Sequence, residues 1–227
     1  NIEANTRENK GQRFYGSGDL QFTIVDGLNI KAMLYKSRNQ NEYSQYYDST
    51  TDAGRDDGGY AKRTSNTRDK ELMEWTLDFD KTFNEVHKVN ALLGYSWEEN
   101  TYSSMSAANP SFTTDNLGAN NLGAGQDVRP SDVSSAKNEY RLISMFARAN
   151  YSYGERYMVT ATIRRDGSSK FGANHKWGIF PSASAAWGIS QEAFMEDVKW
   201  VSDLKLRAGW GVTGNQDGLS PYKTLEL

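Results

Sequence analysis

The sequence predicts an all-β fold, an antiparallel up-and-down meander of about eight long strands forming part of a transmembrane β-barrel wall. Three observations predict it. Long segments alternate apolar and polar residues at a period of two, which gives each set its own face of a sheet. From Trp177 to Ile189 the odd positions read Trp177, Ile179, Pro181, Ala183, Ala185, Trp187 and Ile189, against Gly178, Phe180, Ser182, Ser184, Ala186 and Gly188. The connections between strands alternate short and long, as in outer-membrane barrels with short periplasmic turns and long extracellular loops. Several strands run well past ten residues, whereas a sandwich uses strands of about 5–6 with turns every 8–12.

Taken in order, the first strand sets Leu20, Phe22 and Ile24 on one face and meets the second, Leu28 to Tyr47, through the tight pair Asp26-Gly27, a strong hairpin signal. A long polar loop follows near 48–67. The third strand, Leu72 to Phe83, opposes Met73, Trp75, Leu77 and Phe79 to Glu74, Thr76, Asp78 and Asp80. A turn over 84–87 leads to the fourth, where Val89, Ala91, Leu93, Tyr95 and Trp97 share a face. The second long loop is expected near 106–136, with Pro110, Gly118, Gly123, Gly125 and Pro130. Ile143, Met145, Ala147, Ala149, Tyr151 and Tyr153 mark the fifth strand, which turns at Gly154-Glu155 into the sixth with Tyr157, Val159, Ala161 and Ile163. A polar loop over 166–174 precedes the seventh. Between the seventh and eighth strands, Ser190 to Val201 reads as a short helical turn, with Ser190 as N-cap and Phe194 and Val198 on one face. The eighth strand alternates Leu204, Leu206, Ala208, Trp210 and Val212 with Lys205, Arg207, Gly209 and Gly211.

Composition narrows the functional classes. No run of 18 apolar residues exists, so no transmembrane helix is expected; a barrel, whose lipid-facing residues are every second one, is not excluded. The formal net charge of -3 argues against a nucleic-acid partner. With no Cys, neither a disulfide framework nor a thiolate site is possible. The chain opens at Asn1 without Met, basic n-region or apolar h-region, so a secretory signal is absent from this stretch, and both ends read as cut.

Three runs then resemble one family closely. They are YSYGERYMVTATIRRDGSSKFG from Tyr151 to Gly172, WGIFPSASAAWGIS from Trp177 to Ser190, and LKLRAGWGVTGNQ from Leu204 to Gln216. In this order and spacing they resemble the SusC/RagA family of TonB-linked outer-membrane proteins. The match is clear over about residues 138–222. Before that it extends to layout and to Gly27-Leu28-Asn29-Ile30-Lys31, similar to a family hairpin. The resemblance implies a 22-stranded barrel with an N-terminal plug, located in the cell outer membrane, importing oligosaccharides or peptides. It implies a SusD-type surface lipoprotein as lid and power drawn from TonB through the plug. Residues 1–227 are then a partial barrel domain, with the plug and the TonB-contacting segment absent. A soluble all-β carbohydrate-binding or adhesion module is the alternative.

No residue set points to catalysis, a cofactor or a metal. Asp166-Gly167-Ser168-Ser169 reads as a turn between strands, because it lacks a partner His and strand–helix context. His87 and His175 are far apart, and zinc needs a denser ligand set. Asp48, Asp52, Asp56 and Asp57 fail the alternate-position spacing of a calcium loop. Glu74, Asp78 and Asp80 suit a wet lumen. Trp75, Trp97, Trp187 and Trp210 lie on apolar faces and read as a lipid-facing girdle in contact with outer-membrane lipid. Tyr43, Tyr46, Tyr47, Tyr60 and Tyr102 lie toward the long loops, as candidate contacts to sugar rings or a lid protein, or as girdle residues at strand ends.

Overall fold

In a computed structural model that describes residues 4–172 and 176–215, eight strands join in chain order into one sheet. They are β1 (Thr6–Val25), β2 (Leu28–Tyr47), β3 (Tyr60–Phe83), β4 (His87–Pro110), β5 (Val133–Tyr153), β6 (Tyr157–Ser168), β7 (Trp177–Gly188) and β8 (Lys205–Gly211). The all-β meander expected from the alternation is therefore the fold.

The strands are longer than the alternation alone marks. β1 begins at Thr6 and not at Leu20, and β3 begins at Tyr60, so the loop expected over 48–67 ends at residue 59. Likewise β4 runs to Pro110 and β5 starts at Val133, which shortens the 106–136 loop to residues 111–132. In these extensions polar, small and scattered apolar residues mix on both faces, so they carry no period-two hydrophobic signal. Asp166, Gly167 and Ser168 belong to β6 and not to a turn; Gly167 pairs with Trp177 on β7. His175 lies outside the described residues. Between β7 and β8 there is no α-helical turn. Two one-turn 3-10 segments, Ile189–Gln191 and Ala193–Met195, take its place, and Ser190 sits inside the first rather than capping it. Its Oγ donates to Asp203 Oδ1 at 3.2 Å.

Two of the hairpins close on turns with positive φ at both central residues, Asn84 (47°) with Glu85 (63°) and Gly154 (52°) with Glu155 (59°). That is the type I′ pattern, whose twist matches the strands it joins.

By contacts the chain packs as two compact units. One takes residues up to Gly16, Lys36–Lys70 and Asn100–Glu139; the other takes Ser17–Tyr35, Glu71–Glu99 and the chain from Tyr140 on. In the second unit the strand registers settle the faces, because residues directly opposite on paired strands share a face. Tyr151, Val159 and Ala185 form one row, as do Ala149, Ala161, Ala183 and Trp210. The other face carries Asn150, Thr160, Ser184 and Gly209 in line.

The apolar face is open. Leu20, Phe22, Leu93, Val159, Ile163, Ile179, Leu206 and Trp210 are all exposed, and the buried apolar set among the described residues is Tyr46, Ala61 and Ala108. A sandwich would cover this face with a second sheet. No such layer exists among the described residues.

Candidate functional site

In the first unit, three neighbouring strands each place an i, i+2 pair along one groove: Gly11 and Arg13 on β1, Asn39 and Asn41 on β2, Asn66 and Arg68 on β3. The period of two puts each pair on a single face of its strand. Tyr102 of β4 completes the groove, whose volume is about 440 Å³. Gly11 is the low point, since a Cβ there would stand 2.8 Å from Asn41 Oδ1. The Tyr102 hydroxyl donates to Asn66 Oδ1 at 3.1 Å, and the Arg68 guanidinium lies 5.7 Å from the centre of the Tyr102 ring. Arg13 lies similarly over Tyr15, at 5.4 Å. The lining contains no carboxylate. It can donate and accept through amides and can hold negative charge through two guanidinium groups.

The loops of the same unit are clasped together by Asp115. Its Oδ1 accepts from the Tyr46 hydroxyl at 2.6 Å and from the Ser49 amide at 3.0 Å, and its Oδ2 accepts from Ser49 Oγ at 2.8 Å. Those bonds, the Tyr46 hydroxyl first, hold the Asp115 carboxyl below its ordinary value. Tyr46 also packs edge-on against Phe112, with ring centres 5.6 Å apart. Backbone bonds finish the clasp: the Phe112 amide donates to Gly58 O at 2.9 Å and the Ser111 amide to Asp57 O at 2.8 Å. Gly58 and Gly59 have φ of 63° and 88°, a region that suits glycine.

The second unit carries a polar ladder across four strands. Thr160 Oγ1 donates to Asn150 Oδ1 at 2.9 Å, Asn150 Nδ2 to Asn90 Oδ1 at 2.9 Å, and Asn90 Nδ2 to Asp80 Oδ2 at 3.3 Å. On that same face Phe146 and Phe180 cover glycines. A Cβ on Gly94 would lie 2.1 Å from Phe146 Cζ, and one on Gly178 2.7 Å from Phe180 Cζ. At the β5–β6 turn end of the apolar face, Glu192 Oε1 accepts from the Tyr157 hydroxyl at 2.6 Å and from Trp187 Nε1 at 2.9 Å. The Glu192 carboxyl is held below its usual range, by the Tyr157 hydroxyl first and Trp187 second.

The five tyrosines singled out from sequence part company. Tyr46 is a correction: at 2% exposure it is a buried prop under the loop clasp and has no face to offer a ligand. Tyr102 lines the groove just described. Tyr43 lines a second groove of about 290 Å³ with Lys10, Arg63 and Met105. Tyr47 takes a hydrogen bond from Arg7 and stacks on Tyr60 at 6.1 Å. Of the four tryptophans, Trp75, Trp187 and Trp210 are exposed and Trp97 is half-buried. His87 Nδ1 is engaged with the Tyr151 hydroxyl at 2.8 Å. Arg13, Asn39, Asn41, Asn66, Arg68, Asp115 and Glu192 were not singled out by sequence. The i, i+2 recurrence of Asn and Arg was the available signal for the groove.

Comparison with known proteins completes the picture. The model of the family described as TonB dependent receptor-like, beta-barrel matches residues 1–222. The TonB-dependent receptor P3 of Formosa agariphila is 34% identical over 223 residues, covering 96% of this chain and 21% of that protein. The TonB-dependent receptor SusC of Bacteroides thetaiotaomicron is 53% identical over 91 residues, 40% of this chain and 9% of that protein. The RagAB peptide importer in its closed-closed state superposes with a TM-score of 0.83 at 23% identity, over 96% of this chain and 24% of that one, a likeness of fold. The chain spans about a fifth of the length of the curated relatives it matches.

Proposed function

The chain belongs to the TonB-dependent receptor-like β-barrel family, with SusC/RagA-type proteins among its relatives, and from that premise we propose that it is a section of barrel wall in an outer-membrane nutrient importer. The observation that carries the reading is the division of the sheet. One face is apolar and exposed, with Trp75, Trp187 and Trp210 on it. The other carries the Asp80–Asn90–Asn150–Thr160 ladder. Lipid favours the first and a wet lumen the second. The tryptophans, Trp97 included, are then the aromatic girdle at the bilayer surface.

In this reading the 48–59 and 111–132 loops are extracellular, since barrels keep their long loops outside and their short turns in the periplasm. Tyr43, Tyr47, Tyr60 and Tyr102 are the proposed contacts for substrate or lid. The substrate is an oligosaccharide or a peptide, the lid a SusD-type surface lipoprotein, and TonB acts through a plug carried by the longer protein. The wall positions and selects; no catalytic step is assigned to it.

The test is fractionation of the native host's envelope with antibody to this segment, followed by substrate uptake with and without TonB. A species several times 25.5 kDa in the outer membrane, with TonB-dependent uptake, supports the proposal. A soluble species near that mass sinks it.

A further inference from the structure

We propose that the groove between Arg13 and Arg68 is a subsite for an acidic oligosaccharide, one bearing uronate or sulfate groups. This deepens the importer reading and rests on it. Charge is the first argument. Neither guanidinium has a carboxylate partner among the described residues, whereas Arg38 and Arg129 of the same unit are held by Asp69 at 3.0 Å and Asp57 at 3.6 Å. Each is instead laid over a tyrosine ring, at 5.4 and 5.7 Å, which fixes its position and leaves its five N–H donors for an incoming anion. No acidic side chain lines the groove to compete.

Hydrogen-bonding capacity is the second argument. Asn39 and Asn41 stand on the strand between the two cations, each offering a donor pair and an acceptor, and Asn66 beside Arg68 adds a donor pair while its oxygen accepts from Tyr102. That geometry suits neighbouring hydroxyls on a sugar ring. A peptide is commonly held by strand addition, through its main chain at a sheet edge. The lining is a set of side chains on the faces of β1, β2 and β3; β2 and β3 are interior strands whose main-chain groups serve the ladder, and β1, which brings Gly11 and Arg13, is the edge strand where a peptide could still add, so tetraglutamate is the control that decides. The exposed Tyr15 ring beside Arg13 adds a flat apolar surface of the kind sugars stack on.

The experiment uses the full-length transporter in detergent, titrated calorimetrically with tetragalacturonate, a chondroitin sulfate tetrasaccharide, maltotetraose and tetraglutamate. At least one acidic tetrasaccharide binds about tenfold or more tighter than maltotetraose and tetraglutamate, and Arg13→Gln with Arg68→Gln removes about tenfold, the loss expected for one charge-assisted contact or more. Added salt weakens binding of the acidic sugar and not of maltotetraose. Equal or better binding of maltotetraose, equal or better binding of tetraglutamate, no binding of either acidic sugar, or no effect of the double variant overturns the proposal. Heat-modified gel mobility of the variant shows that its barrel has formed. Outer-membrane residence and TonB-dependent uptake, measured on the wild type in parallel, separate the two failures: if both hold, only the acidic subsite falls.

Discussion

The Tyr46 hydroxyl donates to Asp115 Oδ1 at 2.6 Å, joining residues 69 positions apart in sequence. Through this bond the end of β2 holds the loop that follows β4. Tyr46→Phe keeps the ring against Phe112 and removes only the hydroxyl. A hydrogen bond to a charged group contributes about 1.5–3 kcal/mol, and the remaining Ser49 bonds soften its loss. Hydrogen exchange at the Ser111 and Phe112 amides is expected to quicken about tenfold or more, while strand amides of β5 and β6 stay as they were. Unchanged loop exchange would show that the clasp does not depend on this bond.

The same carboxylate sets a pH dependence. Asp115 is held below its ordinary value in the folded loop, so its stabilisation is complete above the unfolded value of about 3.9 and is lost as pH falls through the lower folded value. Loop protection is therefore expected to be flat from neutral pH down to about 4–5 and to fall only in stronger acid. Asp115→Asn should lower protection at neutral pH and flatten the acid limb. A loop that opens between pH 8 and 6 in limited proteolysis would contradict this assignment.

Leu77 and Thr76 test the two faces of one strand. Thr76 Oγ1 donates to Asp78 Oδ2 at 3.0 Å, on the polar side of β3. In the full-length barrel Leu77→Lys is expected to cost about 2–4 kcal/mol if the position is near the midplane, and Thr76→Lys much less. Urea unfolding in lipid measures both; similar costs would refute the face assignment.

Gly94 and Phe146 should behave as one packing unit. Gly94→Ala drives a methyl into the ring, an overpacking expected to cost about 1–3 kcal/mol. Adding Phe146→Ala removes the collision, so the pair should be less destabilised than the sum of the singles, by about 0.5 kcal/mol or more. Additive losses in a double-mutant cycle would mean that the backbone shifts instead.

What the sequence made legible tracks the contrast between an apolar face and a polar one. Where one face is apolar and open, as at Val159, Ala161 and Ile163, the period of two is plain and the strands fall where expected. From Tyr60 to Thr67 both faces are largely polar, and from Ser106 to Pro110 small and polar residues mix on both faces, so the alternation fades and strand reads as loop. Tyr46 was misread for a different reason. Its burial depends on Asp115 and Phe112, contacts that no local pattern announces. The groove was nearer to hand, because Asn39 with Asn41 and Asn66 with Arg68 repeat at the spacing of one strand face. Its third side, Gly11 and Arg13, lies in a stretch of β1 where no alternation flagged a strand.

The rings of Phe146 and Phe180 stand over glycines on the face that carries the polar ladder. A side chain that would otherwise project is matched by a neighbour with none, so height is evened out from strand to strand. Gly178 beneath Phe180 and Gly94 beneath Phe146 repeat the device on two different strands. In the proposed importer, a molecule passing along such a surface would meet aromatic plates with few rotamers to rearrange, where long flexible side chains would drag. If the importer reading holds, smoothness is what these glycines would lend the passage, and it would be lost by adding a methyl group at either one.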